Sequence, residues 1–120
     1  MSARYDAGAV EGLPPGTHRI VEADGREYGV FNVDGSYYAL PNVCFHQNGP
    51  LCRGRVGGTY VADATTGFEW RWAHDGELVI CPWHGLEYHI PTGRCLAYPA
   101  RGLPVRRVEV VAERLELVLD

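Results

Sequence analysis

Apolar and polar residues alternate in short runs along this chain, and turn residues break the runs before any helical period can develop. Thr17 to Glu22 and Glu27 to Val33 read as strands on either side of Asp24-Gly25, a dipeptide that favours tight hairpin turns. Asp34-Gly35 repeats the device before Ser36 to Leu40, so three antiparallel strands are expected ahead of Pro41. Near the C-terminus, Val105 to Val111 and Leu115 to Leu119 form a closing pair, with Leu115, Leu117 and Leu119 marking one buried face. Between these groups Phe68 to Trp72 alternates apolar with polar. Asp75-Gly76 then turns the chain toward Leu78 to Ile80, so an extra hairpin is expected. The fold class is all-β.

Length and composition narrow the picture. At 120 residues the chain supports one domain, residues 1–120, with a core of its own and no room for a second catalytic module. There are 15 glycines, which suits a loop-rich β design. Met1 to Gly16 lacks the apolar centre of a secretory signal, and no apolar run is long enough to span a membrane. The expectation is a cytoplasmic protein without a membrane partner. The formal net charge of −4 argues against nucleic acid as a general partner. All 11 basic residues are Arg; Arg53, Arg55 and Arg71 fall in or beside the central loops, where a solvated face is the simpler reading and an acidic docking partner the alternative.

The chemistry lies in two short loops. Cys44-Phe-His46 and Cys81-Pro-Trp-His84 each offer one thiolate and one imidazole, which together are the ligand set of a 2Fe-2S cluster with two Cys on one iron and two His on the other. Zinc also accepts two sulfurs and two nitrogens, but its sites usually group the cysteines together and the histidines together, whereas here each loop mixes them. A plant-type cluster on all four cysteines would need a C-x4-C-x2-C run, and the spacing of Cys44, Cys52, Cys81 and Cys95 does not supply one.

The first loop continues as Cys44-Phe-His46-Gln-Asn-Gly-Pro-Leu51, and the second as Cys81-Pro-Trp-His84-Gly-Leu-Glu-Tyr88 followed by Thr92-Gly-Arg94. Both resemble the Rieske loops of ring-hydroxylating oxygenases and their small ferredoxins, from about residue 13 to the C-terminus. The resemblance implies an antiparallel β-sandwich like the domain of Rieske iron-sulfur proteins, with cluster loops at about 41–53 and 80–90. It implies Cys44 and Cys81 on the inner iron, and His46 and His84 on the outer, solvent-facing one. It also places Gly49, Trp83, Gly85 and Tyr88 beside the cluster, and Pro99 of Leu96-Ala-Tyr-Pro-Ala100 over it as a shield from water. Tyr88 is read either as a hydroxyl reaching a cluster cysteine or as an aromatic core residue. Leu86 stands where high-potential members carry a Ser, so a potential in the lower half of the Rieske range is expected. High-potential members also bridge their loops with a disulfide; Trp83 occupies one of those positions, so no bridge is expected here.

The chain departs from the pattern at three places. The stretch from Gln47 to Ile80 is longer than the resemblance leads one to expect, which puts an insertion within about 56–75. Asn48 replaces a small residue and His89 an Asp. Trp70 and Trp72, inside the insertion, are read as covering the core, with a docking surface as the alternative. His18 is read as a strand residue, His74 as a turn residue and His89 as a partly buried or hydrogen-bonded histidine, none of them a ligand, and Cys52 and Cys95 as small packed side chains.

The function implied is one-electron transfer from a flavin-dependent reductase to a terminal oxygenase. No mononuclear iron site is read from the sequence, so no oxygenation is expected from this chain alone. The competing readings are a fixed electron-transfer subunit or redox-sensing module of a larger enzyme, and, more remotely, a structural zinc domain.

Overall fold

The computed structural model describes residues 2–44, 49–83 and 85–119. Nine strands run in chain order: β1 Ala3–Ala9, β2 His18–Ala23, β3 Arg26–Val33, β4 Ser36–Pro41, β5 Arg55–Val61, β6 Arg71–Ile80, β7 Glu87–His89, β8 Arg106–Val111 and β9 Arg114–Leu119. All pairings are antiparallel. Six strands form one sheet in the order β1-β9-β8-β4-β3-β2, and β5-β6-β7 form a second.

β3 and β4 explain how the two sheets share a core. Side chains alternate across a strand, and here both faces are buried. Tyr28 and Val30 of β3, with Tyr37 and Ala39 of β4, join a cluster that also draws on Ala7, Ala23, Val108, Leu115 and Leu117. Every strand of the larger sheet contributes to that cluster, so the sheet curls around it. Phe31 of β3 and Leu40 of β4 point the other way, into a cluster with Leu51, Val79, Tyr88 and Ile90 that also contains all four cysteines. Gly29 sits on this second face because a Cβ there would lie 2.5 Å from Cys52 Sγ.

The expected strands before Pro41 and the closing pair are present. Asp24, Gly25, Asp34 and Gly35 all have positive φ, as two-residue hairpin turns of this kind require. β1 was not anticipated. Its Ala- and Gly-rich sequence carries little alternation, and it is held by pairing with β9, by Arg4 to Glu109 and Glu116 at 2.8 and 3.1 Å, and by Arg114 to Asp6 at 2.8 Å. Arg19 adds a clamp, donating to the carbonyls of Ala7 and Ala9 at 2.7 and 3.0 Å.

The extra hairpin exists, but its turn is not at Asp75-Gly76. β5 pairs with β6 on both sides of that dipeptide, Thr59 with Ala73 and Gly57 with Leu78, so Asp75-Gly76 belongs to a bulge and the chain reverses earlier, around a 3-10 turn at Ala64–Thr66. Asp63 caps that turn by accepting from Thr65 N at 2.8 Å. Trp70 and Trp72 do not cover the core. They are 74% and 50% exposed, because they lie toward the far end of this hairpin, beyond the region where the two sheets meet.

The β8–β9 turn uses Ala112 and Glu113 at φ 51° and 66°, a left-handed conformation that neither residue favours. Replacing them together, Ala112→Asn with Glu113→Gly, should therefore stabilise the protein by about 1 kcal/mol and raise its melting temperature by about 4 °C. Thermal unfolding followed by circular dichroism checks this; an unchanged or lower midpoint would show that the turn is not strained.

Candidate metal centre

The two cysteine loops are closed by the same device. In the first, which leaves β4 at Pro41, the backbone N–H of Cys44 donates to Gly49 O at 2.8 Å. In the second, which leaves β6 at Ile80, the N–H of Cys81 donates to Leu86 O at 2.8 Å, and Gly85 N–H returns to Cys81 O at 2.9 Å. Each cysteine thus stands at the neck of its loop, and both are buried. Gly85 has φ 71°, a value glycine adopts without cost, and this lets the second loop turn back on itself.

The loops also touch each other. A Cβ at Gly49 would come within 3.1 Å of Cys81 Sγ and of the Trp83 ring, closer than most such contacts, so the bare backbone at residue 49 lets the two loops lie close together. Tyr88, on β7, reaches across beneath them: its hydroxyl lies 3.1 Å from Cys44 Sγ while its ring is buried in the core. Tyr88 thus has its hydroxyl at Cys44 and its ring in the core at once. A hydroxyl at that distance can donate to a thiolate, and hydrogen bonds to an ionised acceptor are the stronger kind.

His46 lies outside the described residues, as do Phe45, Gln47, Asn48 and His84. Trp83, beside His84, is 56% exposed. Pro99 is exposed in a turn in which Arg101 N–H donates to Tyr98 O at 2.8 Å. Leu86 packs partly against the core and supplies the carbonyl that closes the second loop.

All four cysteines are buried and none is in a disulfide. Cys52 and Cys95 are packed in the core, as read from the sequence. Burial pushes the Cys52 thiol up to about 12, which keeps it protonated and inert near neutral pH.

A brace behind the first loop escaped the sequence. Asn42 Oδ1 accepts from Cys52 N–H at 2.7 Å, and Asn42 Nδ2 donates to Glu27 Oε1 at 3.0 Å. His18 Nε2 meets Cys52 O at 2.7 Å, its ring stacked on Phe31 at a centroid distance of 4.9 Å. The 3-10 turn Leu51–Arg53 is thereby tied to β2 through His18 and, by way of Asn42 just past β4, to Glu27 of β3. Arg53 lies 3.8 Å from Glu27, and Arg71 pairs with Glu69 at 2.9 Å.

Two buried sulfurs, one facing a hydroxyl and one facing a glycine cradle that a Cβ would fill, suit a cluster that needs dry, closely approached thiolate ligands. Comparison with known proteins agrees. The family model for the Rieske [2Fe-2S] domain matches residues 3–110. The 3-phenylpropionate/cinnamic acid dioxygenase ferredoxin subunit of Photorhabdus laumondii is 30% identical over 104 residues, covering 87% of this chain and 81% of that protein. Among solved structures, a small subunit assigned to an NADH-dependent nitrite reductase of Mycobacterium tuberculosis superposes with a TM-score of 0.76 at 25% identity, covering 100% of this chain and 97% of that one. A chain from the complex of reduced oxygenase and oxidised ferredoxin in carbazole 1,9a-dioxygenase does so with 0.73 at 25% identity, covering 95% and 91%.

The brace makes its own prediction. Asn42→Ala leaves the buried Cys52 N–H without its acceptor, which should cost about 1–3 kcal/mol of stability. Denaturant midpoints measure the loss, and faster amide exchange at Cys52 than at Val30 would place it in the loop; uniform acceleration would contradict a local brace.

Proposed function

The chain belongs to the Rieske [2Fe-2S] domain family, and from that premise we propose that it is a one-electron carrier, taking electrons from a flavin-dependent reductase and delivering them to a terminal oxygenase. When bound, the cluster accepts and returns a single electron. Cys44, His46, Cys81 and His84 would hold it, with Cys44 and Cys81 on the buried side. The observation that carries this reading is the pair of identically closed loops, pressed together at Gly49 with a buried sulfur at each neck.

Each residue then has a defined task. Gly49 and Gly85 let the loops fold tightly around the ligands, and Tyr88 hydrogen-bonds to Cys44. Trp83 offers exposed ring surface to a partner next to His84. Pro99, in Leu96-Ala-Tyr-Pro-Ala100, would shield the cluster from water. No helix among the described residues is long and apolar enough to cross a membrane, and we assign the protein to the cytoplasm, where its redox partners would be soluble. Residues 1–120 act as one Rieske domain.

A second reading, a fixed electron-transfer subunit of a larger reductase, is favoured by the likeness to the nitrite reductase small subunit. Gel filtration of the native protein from its own cells separates the two. A free carrier elutes at its own mass, and a fixed subunit elutes with its enzyme.

Two predictions test the assignment. Aerobically purified protein should be reddish-brown, contain two irons and two sulfides, and give a paramagnetic signal on one-electron reduction. Cys44→Ser or Cys81→Ser should abolish all of these, whereas Cys52→Ala and Cys95→Ala should keep them; zinc in place of iron would overturn the cluster assignment. Tyr88→Phe should keep the cluster but lower its potential by roughly 30–60 mV, because a hydroxyl donor near a thiolate favours the more negative, reduced state and a difference of about 1 kcal/mol corresponds to that shift for one electron. Protein-film voltammetry measures it, and an unchanged potential would mean that the hydroxyl does not donate to Cys44.

A further inference from the structure

The bulge in β6 does more than bend a strand. His74 and Gly76, at φ 57° and 74°, loop residues 74–77 out of the ladder opposite Gly58. This carries His74 and Glu77 toward His89 on β7, while the neighbouring Tyr88 points the other way, into the core. Ile90 N–H fixes the bulge to β7 by donating to Glu77 O at 2.8 Å. His89 Nε2 lies 2.8 Å from Glu77 Oε1, His74 Nδ1 lies 3.8 Å from the same oxygen, and the two rings meet edge to face at 5.2 Å. One donor atom from each of the three residues falls within 4.8 Å of the others.

We propose that His74, Glu77 and His89 form a second metal site, separate from the Cys/His loops, that takes one divalent transition ion of the zinc type. Two imidazole nitrogens and one carboxylate oxygen are a donor set of three-ligand zinc sites, in which water completes the coordination. The same set disfavours calcium and magnesium, which select oxygen ligands. Zinc bonds of about 2.0–2.2 Å put neighbouring donors roughly 3–3.5 Å apart, and the separations seen here bracket that span. The His74 and Glu77 side chains are 41% and 40% exposed and free to adjust, whereas His89, at 19%, is the fixed member.

His89 is already held as a ligand requires. Its Nδ1 lies 3.0 Å from Thr92 Oγ1, on the side of the ring away from Glu77. With Nδ1–H donated to that hydroxyl, the Nε2 lone pair faces the site, an arrangement that fixes tautomer and ring orientation in metal-ligating histidines. When the ion binds at Nε2, the neutral ring carries its one proton on Nδ1, toward Thr92, and the Glu77 carboxylate turns from Nε2 to the ion. The ion would tie the bulge of the long hairpin to the strand that carries Tyr88.

The simpler account is a hydrogen-bonded His–Glu pair with no ion, and the experiment separates the two. Cluster-loaded protein, freed of loose metal by gel filtration, is titrated with zinc chloride by calorimetry in a non-coordinating buffer, with zinc and iron counted afterwards by elemental analysis. One zinc per chain is expected at micromolar affinity. Glu77→Gln and His74→Ala, both at exposed positions, should each weaken binding at least about tenfold, and Thr92→Ala should weaken it less. Visible absorbance and iron content should stay the same in all of them. No zinc bound at micromolar concentration, or binding that Glu77→Gln and His74→Ala leave unchanged, would overturn the site. Neither result bears on the cluster, whose loss would appear in the iron count alone.

Discussion

Everything in this molecule depends on holding two buried sulfurs at the necks of two loops whose described residues hold no more regular structure than the 3-10 turn Leu51–Arg53. A thiolate removed from water is costly unless a metal or hydrogen-bond donors compensate its charge. The loops must therefore present both sulfurs to one small volume without relying on a helix or a long strand. The chain meets this with its own backbone. Cys44 N–H to Gly49 O and Cys81 N–H to Leu86 O tighten each loop at the residue that matters. Their positions are then set by what lies behind them, which is why so much of the fold is spent there.

Behind the first loop stands the doubly buried pair β3 and β4. Because side chains alternate, one strand can pack Tyr28 and Val30 into the curled sheet and Phe31 into the loop-side core, and a shift of one residue would exchange the two. Gly29 gives Cys52 room to lie against β3, and Asn42, Glu27 and His18 convert that contact into a hydrogen-bonded frame. Tyr88 does the corresponding work from the second sheet, its ring in the core and its hydroxyl at Cys44. The larger sheet therefore braces one loop, and the smaller sheet both carries the other and reaches the first.

What could be read from the sequence follows from the range of the forces involved. Asp24-Gly25 and Asp34-Gly35 were legible because a positive φ is a local demand met by few residues. The same logic misplaced the hairpin turn at Asp75-Gly76: left-handed backbone suits a bulge as well as a turn, and only the partner strand decides which. Ala112-Glu113 gave no signal, since a turn forced by its flanking strands needs no favourable residues. β1 was silent for a related reason, because pairing and arginine clamps hold it and it turns only Tyr5 and Ala7 to the core, too few for a visible pattern. The cysteines were legible from their spacing and from the resemblance their loops carry. Asn42, Glu27 and His18 were not, being polar residues far apart in sequence that acquire a shared role only when β2, β3 and the first loop meet.

The long hairpin shows how the fold accommodates extra length without disturbing the loops. Its base is fixed where it matters: Arg55 pairs with Ile80 immediately before Cys81, and Gly54 is needed at the entry because a Cβ there would lie 1.8 Å from Ile80 O. Next come Val56 with Val79 and Gly57 with Leu78, after which the ladder breaks at the bulge. Beyond the break, Tyr60 and Trp72 pack edge to face, and Trp72 Nε1 donates to Asp75 Oδ1 at 2.9 Å, so the outer part is held together by contacts of its own. Three residue pairs thus lie between the bulge and Cys81, and these set where the sulfur stands.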